Sequence, residues 1–377
     1  MTTFIPLFSA EKVNAALDLI SPVKRVLDNY HYILGDEVKK FEKEFAAYCG
    51  VEHCISLANG TDALELALKA LDIHSGDKVV LAANAGFYGS TAVHLNGAVP
   101  HYIDIDRTTL TMSVEKLKKA LKLKPKAIIV THLYGQLADI ETIVDEANKF
   151  GVPVIEDCAQ AHGAERNGRR AGSFGTIGCF SFYPTKNLGA LGDGGAIVTS
   201  NGKIGKILNQ LRQYGWGSKY SVDIVGGRNS RLDEIQAAIL RIKLPYLDNQ
   251  NSLRRDIAIR YNKAFAGSPI ICPQSLNNDN VAHLYVVQIN ERDSFRDYLK
   301  ECGIMTDVHY PIPDHLQAAY QSEQKYGDLP ETEQVCTKVV TLPCYPGMPD
   351  NDVEIVIDSV SSWFNENTSK NSRKLEL

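Results

Sequence analysis

The feature that most constrains the fold is an alternation of short apolar runs and amphipathic segments in the first half of the chain. Apolar runs of strand length occupy residues 53–58, 78–83, 98–106, 126–132 and 152–157, and helix-like patterns lie between successive runs. Strands that are apolar on both faces must be covered on both sides, so the rhythm predicts an α/β fold with a mainly parallel sheet. Two later runs, 177–182 and 195–200, follow each other closely and predict a β-rich edge of this sheet.

The second half of the chain begins with a change of pattern. Residues 231–265 have the periodicity of a long helix that Pro245 interrupts. Strand-like and helix-like patterns then resume at 283–290, 292–303 and 353–364. We therefore expect a large domain over residues 1–245 and a smaller C-terminal α/β domain over residues 246–377.

Composition limits the classes of function. The chain has 377 residues and a formal net charge of −5, which favours neither nucleic acid nor an anionic membrane as a partner. It contains no apolar run of membrane-spanning length, and its first twenty residues lack the basic start of a signal peptide. The eight cysteines form no C-x-x-C pair and no zinc-spaced cluster with histidine, so we expect reduced thiols in a cytoplasmic protein without a metal site.

The segment Asn59-Gly60-Thr61 stands where the first strand pattern gives way to a helix pattern. Free N–H groups and the dipole at a helix start attract an anion, and glycine lets a phosphate approach the backbone. The segment therefore predicts a phosphate site. Thr61 is also compatible with an ordinary N-cap.

Acidic and amide side chains follow the run at 152–157. Glu156 and Asp157 end the strand pattern, and Gln160 follows within a turn. A carboxylate at the end of a buried strand is costly unless a cation faces it. Asp157 is a candidate partner for a protonated ring nitrogen, and it is equally compatible with a structural cap of the next turn.

A single lysine stands at the end of the next apolar run. Lys186 lies in "CFSFYPTKNLGALGDGG", after Ser181 and before a glycine-rich segment. A desolvated lysine amine forms Schiff bases, and glycines leave room for a bulky ligand. A surface lysine beside a turn is the alternative.

These features share a location and an order along the chain. A phosphate turn, a carboxylate, a serine and a lysine each follow a strand pattern, and ligands of parallel sheets bind beyond the carboxyl ends of the strands. Pyridoxal 5'-phosphate (PLP) needs N–H and hydroxyl groups for its phosphate, an anion for its ring nitrogen and a lysine for its aldehyde. The set therefore predicts a PLP site.

Four stretches of the chain resemble the DegT/StrS-type nucleotide-sugar aminotransferases. They read "GDEVKKFEKEFAAYCGVEHCISLANGTDALELAL", "EDCAQAHGA", "GCFSFYPTKNLGALGDGGAIVT" and "GGRNSRLDEIQAAIL". The resemblance covers roughly residues 3–365, and the lysine-centred and "NSRLDE" motifs are its most specific parts. It implies the fold of type I PLP-dependent transferases, similar to aspartate aminotransferase.

The resemblance also implies roles for particular residues. Lys186 corresponds to the lysine that forms the Schiff base with PLP and moves protons. Asp157 corresponds to the partner of the ring nitrogen, and Gln160 to the residue that hydrogen-bonds the ring oxygen. Gly60, Thr61 and Ser181 correspond to phosphate ligands. Asn229 corresponds to an asparagine that contacts the cofactor phosphate of the neighbouring subunit, so the resemblance implies a homodimer.

The residue that stacks on the cofactor ring departs from the family pattern. The aligned position is Gly86, where relatives usually carry an aromatic residue. Tyr88 is the replacement we favour over Phe87, and both aromatics are also compatible with a place in the core.

The branch of the family is indicated by "HYILG", "HLYGQLADI", "NSRLDEIQAA" and "HYPIPDHLQAAY", which resemble enzymes that act at C-3 of nucleotide-linked 6-deoxyhexuloses. The implied reaction moves the amino group of L-glutamate to the C-3 keto group of a dTDP-linked sugar. Candidate contacts for the sugar or diphosphate are Tyr32, Tyr183, Arg228, His309 and His315, each of which is also compatible with an ordinary loop residue.

The sequence is compatible with several alternative activities. A 4-aminotransferase acting on a dTDP-, UDP- or GDP-4-keto sugar and a keto-cyclitol aminotransferase would use the same cofactor residues. Relatives that act as sugar dehydratases replace the lysine with histidine, so Lys186 argues against that activity. A cofactor-binding regulator would bind PLP and turn nothing over.

Overall fold

The computed structural model describes residues 4–320 and 329–375, which form helices on both sides of a central sheet. The helices are α1 (Ala10–Asn14), α2 (Ile20–Asn29), α3 (Asp36–Cys49), α4 (Gly60–Ala70), α5 (Tyr88–Leu95), α6 (Val114–Leu121), α7 (Ile140–Asn148), α8 (Gly202–Leu211), α9 (Glu234–Lys243), α10 (Leu247–Ala264), α11 (Arg292–Glu301), α12 (Pro330–Cys336) and α13 (Asp350–Leu375). Short 3₁₀ turns occupy Leu133–Gly135, Leu244–Tyr246, Asp314–Leu316 and Ala318–Tyr320.

The strands match the apolar runs of the sequence closely. They are β1 (His53–Leu57), β2 (Lys78–Ala82), β3 (Val99–Ile103), β4 (Ala127–Thr131), β5 (Val154–Asp157), β6 (Glu165–Arg166), β7 (Arg169–Arg170), β8 (Ile177–Ser181), β9 (Gly195–Thr199), β10 (Trp216–Ser218), β11 (Ser221–Val222), β12 (Tyr285–Gln288) and β13 (Val339–Leu342). The predicted α/β class is confirmed.

The central sheet has seven strands in the order β1-β9-β8-β5-β4-β2-β3. Strands β3, β2, β4, β5 and β8 pair in parallel, whereas β9 is antiparallel to both β8 and β1. The prediction that residues 195–200 lie at an edge is wrong, because β9 is enclosed by β1 and β8. An apolar run reports burial on both faces, and it does not report which strands pair.

Both faces of the sheet are buried. Along β2, Val80 packs into one core cluster and its neighbour Val79 into the other, and in β4 Ile128 and Ile129 alternate in the same way. Alternation follows from the two-residue period of a strand. Because β3, β2, β4, β5 and β8 run parallel, their carboxyl ends lie at one edge of the sheet, between the two helical layers. The candidate site lies at that edge.

A third core cluster forms around strands β12 and β13 and includes Tyr261 of α10, Phe295 of α11 and Val356 of α13. The predicted break at Pro245 is confirmed as a 3₁₀ turn between α9 and α10. Ile5 also packs in this third cluster and bridges to Ile304. The boundary near residue 245 stays a prediction, and the N-terminal segment packs on the C-terminal side of it. No helix in the described ranges is long and apolar enough to cross a membrane.

Candidate active site

A cavity of about 880 Å³ lies at the carboxyl ends of β1, β5 and β8. The loop from Asp307 to Tyr310 closes its other side. Nine of the predicted site residues line it, namely Gly60, Thr61, Tyr88, Asp157, Gln160, Ser181, Tyr183, Lys186 and His309. The structure thus brings the three strand-end motifs together.

The phosphate turn is shaped by a close approach between two strand ends. A Cβ atom on Gly60 would lie 2.7 Å from Ser181 Cβ, so only glycine fits there without a shift. Asn59, and not Thr61, is the N-cap of α4, since its side chain accepts a hydrogen bond from the Asp62 N–H at 2.8 Å. Thr61 therefore remains available to a ligand, beside Ser181 and the positive end of α4.

Glu156 at the end of β5 is fully engaged within the protein. Its carboxylate accepts hydrogen bonds from three backbone N–H groups, those of Gly172 (2.9 Å), Phe174 (2.8 Å) and Gly175 (2.6 Å). His132 Nδ1 accepts from the Ala138 N–H, so its Nε2 carries the proton that it donates to Glu156 at 2.9 Å. The geometry excludes a functional carboxylate here.

The same contacts decide against a metal site in this cluster. His132, Glu156 and Cys158 bring potential ligand atoms within 4.8 Å of one another. Both nitrogens of His132 and both oxygens of Glu156 already form hydrogen bonds, and burial raises the pKa of the Cys158 thiol well above its usual range. We interpret the cluster as structural.

Asp157 points to the opposite side of β5, into the cavity. Its carboxylate accepts hydrogen bonds from the Ala159 N–H at 3.1 Å and, weakly, from the Thr131 hydroxyl at 3.3 Å. Burial raises the pKa of Asp157, and Lys186 partly opposes that shift. A buried carboxylate with few hydrogen bonds is stabilised most by a cation that binds directly to it.

Lys186 lines the same cavity and lies in a turn in which its backbone N–H donates to the Tyr183 carbonyl at 2.8 Å. Burial lowers the pKa of the Lys186 amine to about 8, and the Asp157 carboxylate limits the shift. A larger fraction of the amine is therefore neutral and nucleophilic at neutral pH than for an exposed lysine.

Gln160 has a fixed orientation. Its Oε1 accepts from the Tyr134 N–H at 2.7 Å, so its amide nitrogen faces the cavity and donates to the Tyr310 hydroxyl at 3.0 Å. The Tyr310 ring packs on Gly86, where a Cβ atom would lie 2.8 Å from the ring. Tyr310 thus fills the space above Gly86.

The two aromatic candidates beside Gly86 separate clearly. Tyr88 lines the cavity and lies edge-on to Tyr310, with ring centroids 6.0 Å apart. Phe87 faces away and packs on His94 and Tyr320. Its N–H donates to the buried carboxylate of Asp314 at 2.9 Å. Of the two rings, Tyr88 is the one positioned to meet a ligand.

Four predicted residues lie outside this cavity. Asn229 and Tyr32 are exposed, and Arg228 forms an ion pair with the buried Glu65 at 2.8 Å. The Ala58 N–H donates to Ser230 at 3.1 Å, which places this surface beside the end of β1. His315 is buried and contacts Glu333 at 3.0 Å, so we do not propose it as a sugar contact.

Sequence reasoning missed cavity residues of the C-terminal part. Tyr310 and His283 both line the cavity. His283 Nδ1 lies 2.8 Å from Asn187 Oδ1. Asn187 follows the key lysine directly, yet no local pattern links it to a residue 96 positions later. Tyr310 lies within "HYPIPDH", and this motif is the feature of the sequence that could have identified it.

The residues present fit PLP. The cavity is lined by the start of helix α4, by a carboxylate with few hydrogen bonds and by a lysine of lowered pKa. The DegT/DnrJ/EryC1/StrS aminotransferase family model matches residues 15–361. The chain belongs to this family.

Relatives and solved structures agree with the family. The dTDP-3-amino-3,6-dideoxy-alpha-D-galactopyranose transaminase of Aneurinibacillus thermoaerophilus is 45% identical over 95% of this chain and 99% of its own. S. venezuelae DesV, solved in complex with a ketimine intermediate, superposes with a TM-score of 0.90 at 40% identity, covering 96% of this chain and 98% of DesV. NtdA from Bacillus subtilis, solved with bound cofactor PMP, gives a TM-score of 0.91 at 29% identity, covering 97% and 86%.

These matches establish the class of the protein. The aminotransferase has the type I fold of PLP-dependent enzymes, as the resemblance implies. It is a sugar aminotransferase of a PLP-dependent family.

Proposed function

We propose that the enzyme transfers the amino group of L-glutamate to the C-3 keto group of a dTDP-linked 6-deoxyhexulose, giving a dTDP-3-amino-3,6-dideoxyhexose, with PLP as cofactor. The observation that carries the proposal is the pair Lys186 and Asp157, which line one cavity together with the start of helix α4. The sugar and its C-3 position are supported by the name of the Aneurinibacillus relative, which matches this chain over nearly its full length.

Each cofactor residue is proposed from its position. The Gly60 backbone and the hydroxyls of Thr61 and Ser181 would hold the phosphate at the start of α4. When bound, PLP supplies an aldehyde and an electron-accepting ring that carry the amino group between substrates. Asp157 would keep the ring nitrogen protonated, and Gln160 would donate its amide N–H to the ring oxygen.

Tyr88 would stack on the cofactor ring from the side of α5. Tyr88 is 50% exposed to solvent, lines the cavity and lies edge-on to Tyr310. Tyr183 and His309 line the same cavity and are the proposed sugar contacts. His309 Nδ1 lies 2.8 Å from the Thr341 hydroxyl, which fixes the direction of its other nitrogen.

Lys186 is the proposed proton carrier. Its Nζ, when free, accepts a proton from the α-carbon of glutamate and, in the second half of the reaction, donates a proton to C-3 of the sugar. A pKa of about 8 suits both directions of transfer near neutral pH, because neither the charged nor the neutral amine is rare.

We propose that the active site is shared in a homodimer. Asn229 is exposed beside the end of β1, from where it would reach the cofactor phosphate of the neighbouring subunit. Tyr32 and Arg228 lie on the same surface and would contact the nucleotide sugar there. Exposed apolar side chains flank this surface and support an interface, among them Tyr30 (81%), Tyr220 (77%) and Val225 (92%).

The proposed location is the cytoplasm, without nucleic-acid or membrane partners. All eight cysteines are free thiols, a usage typical of reducing compartments. The formal net charge of −5 supports the expectation that small anionic substrates are captured by local groups rather than by a basic surface.

A spectroscopic half-reaction tests the function. Glutamate should bleach the absorbance of the lysine-bound cofactor, and after glutamate is removed a 3-keto dTDP-6-deoxyhexose should restore it. Recovery with the 4-keto isomer alone would refute the C-3 assignment, and recovery only with a UDP- or GDP-linked sugar or a keto-cyclitol would refute the proposed substrate. The Lys186→Ala variant, which lacks the amine, should show neither the initial absorbance nor turnover.

A further inference from the structure

Helix α5, whose first residue is Tyr88, starts without a side-chain cap from its own segment. The preceding residue, Phe87, has a φ of +69°, and its side chain forms no capping hydrogen bond. An aromatic residue is strained in this left-handed region, and the N–H groups of a first helical turn need acceptors. Contacts from another part of the chain must therefore hold the start of α5.

The acceptor comes from the C-terminal part of the chain. Asp314, in the 3₁₀ turn Asp314–Leu316, lies 227 positions after Phe87. Its Oδ1 accepts a hydrogen bond from the Phe87 N–H at 2.9 Å, and its Oδ2 accepts one from the Ser90 hydroxyl at 2.6 Å. The backbone N–H of Asp314 also donates to the Ala83 carbonyl at 2.7 Å. The carboxylate thus takes the place of an N-cap for α5.

The Asp314 carboxylate occupies an unfavourable place for a charge. It is 1% exposed, and burial raises its pKa to about 7. Hydrogen bonds from Ser90, Phe87 and Gly86 oppose that shift, and no cation of the described part of the chain does so. A buried carboxylate without a cation costs free energy. What α5 gains from this residue is therefore its two acceptor oxygens, and not its charge.

The segment that Asp314 holds lies at the active-site cavity. Tyr310 precedes Asp314 in the same loop, packs on Gly86 and lies edge-on to Tyr88, and both tyrosines line the cavity. We propose that Asp314 is a positioning residue that caps α5 and thereby holds the Tyr88 ring at the wall of the cavity. The proposal rests on the stacking role proposed for Tyr88. Its first test reads the position of that ring in the apoenzyme, without cofactor or turnover.

Two substitutions of Asp314 separate its oxygens from its charge. Asp314→Ala removes both acceptors and keeps the backbone N–H that donates to Ala83. The ¹⁹F resonance of 3-fluorotyrosine incorporated in place of Tyr88 should shift or broaden in this variant. Asp314→Asn should restore the wild-type resonance, because its Oδ1 can accept from the Phe87 N–H and its amide can donate to a rotated Ser90 hydroxyl.

Asp104→Ala is the matched control. Asp104 is also 1% exposed, and its carboxylate caps α12 by accepting from the Thr332 N–H and hydroxyl, both at 2.8 Å, and from the Glu331 N–H at 3.1 Å. It does not line the cavity. Its loss should destabilise the fold without moving the Tyr88 resonance. An unmoved resonance in Asp314→Ala, or an equal change in Asp104→Ala, would overturn the proposal.

A smaller substitution keeps the test valid if Asp314→Ala does not fold. Ser90→Ala removes one of the two donors to the carboxylate and leaves the Phe87 N–H in place. It should move the Tyr88 resonance in the same direction by a smaller amount. Tyr102→Phe removes the hydroxyl that donates to Ser90 Oγ at 2.9 Å and should leave the resonance in place. Equal changes in these two variants contradict the proposal.

Cofactor binding connects the position of the ring with the proposed function. Loss of one aromatic contact corresponds to about three- to tenfold in affinity, so Asp314→Ala and Tyr88→Ala should each raise the dissociation constant of PLP by that factor. The double variant should bind PLP no more weakly than Tyr88→Ala alone. Additive effects would overturn the proposal. A shifted resonance in Asp314→Ala, together with unchanged PLP affinity in Tyr88→Ala, would support the positioning role and refute the stacking role of Tyr88.

Discussion

Two carboxylates end strand β5 side by side and meet opposite environments. Glu156 faces the helical layer, where three backbone N–H groups and His132 saturate it. Asp157 faces the cavity, where it accepts one backbone N–H and a long hydroxyl contact. Alternation along the strand separates them, and the number of donors differs between the two sides. Glu156 is saturated by the protein, whereas Asp157 keeps acceptor capacity toward the cavity.

The two faces of β5 differ in whether the free-energy cost of burying a charged group is offset by nearby hydrogen bonds. On the Glu156 side both carboxylate oxygens and both nitrogens of His132 have partners, so burial of the Glu156 charge is offset locally. On the Asp157 side burial disfavours the charged forms of both groups, so it raises the pKa of the Asp157 carboxyl and lowers that of the Lys186 amine. Removing the same chemical group from the two sides should therefore have opposite consequences.

The largest effect is expected on catalysis from Asp157→Asn. The amide keeps the size of the side chain and removes the anion that would hold the ring nitrogen protonated. We expect kcat for the amino transfer to fall by about 10²- to 10³-fold, as for the loss of one preorganised electrostatic contact. The free energy of unfolding of the apoenzyme should be unchanged or higher, because the buried charge is gone.

Turnover and urea denaturation of the same preparation check this expectation. Cofactor affinity should be measured as well, so that a loss of occupancy is not read as a loss of rate. A variant that is as active as the wild type would remove Asp157 from the mechanism.

The matched change on the other face is Glu156→Gln. The glutamine oxygen can still accept from Phe174 and Gly175, whereas its amide nitrogen would face two donors, Gly172 N–H and His132 Nε2. We expect the free energy of unfolding to fall by about 2–4 kcal/mol. Among folded molecules kcat should stay within about threefold of the wild type, since Glu156 does not line the cavity.

Denaturation and active-site titration together separate these quantities. A variant of unchanged stability with strongly reduced kcat would reverse the assignment of the two carboxylates.

The sequence predicts most of the large domain because its information is local. Apolar runs indicate strands to within a few residues, as at 53–58 for β1, and motif residues such as Lys186 follow those strands directly. The enclosed position of β9 depends on pairing with β1, about 140 residues earlier, which periodicity does not encode.

The C-terminal contribution to the site is less visible for the same physical reason. Tyr310 and His283 reach the cavity through contacts with Gln160 and Asn187, both distant in the chain. His315 belongs to the same motif as Tyr310, yet its ring turns toward Glu333 and away from the cavity. Neighbouring residues of one loop can point in different directions, so a sequence motif alone does not show which of them contacts a ligand and which packs inside the protein.

The smallest effect expected is a gain in stability from Lys186→Met in the apoenzyme. Burial lowers the folded-state pKa of Lys186 from 10.5 to about 8. Above pH 10.5 the amine is neutral in the folded and unfolded states and costs no stability. As the pH falls from 10.5 through about 8, folding must oppose protonation of the amine and the protein loses stability. Methionine, similar in length and uncharged, escapes that loss. We expect the free energy of unfolding to rise by about 1–3 kcal/mol at neutral pH. The full pKa shift would give more, but the lysine borders an open cavity and Asp157 loses a cation.

Thermal or urea unfolding at several pH values measures this difference. The difference in stability between variant and wild type should close as the pH rises from about 8 to 10.5. A gap independent of pH would show that packing, and not the charge of the amine, accounts for it, and the lysine would then not bear the cost that distinguishes the two faces of β5.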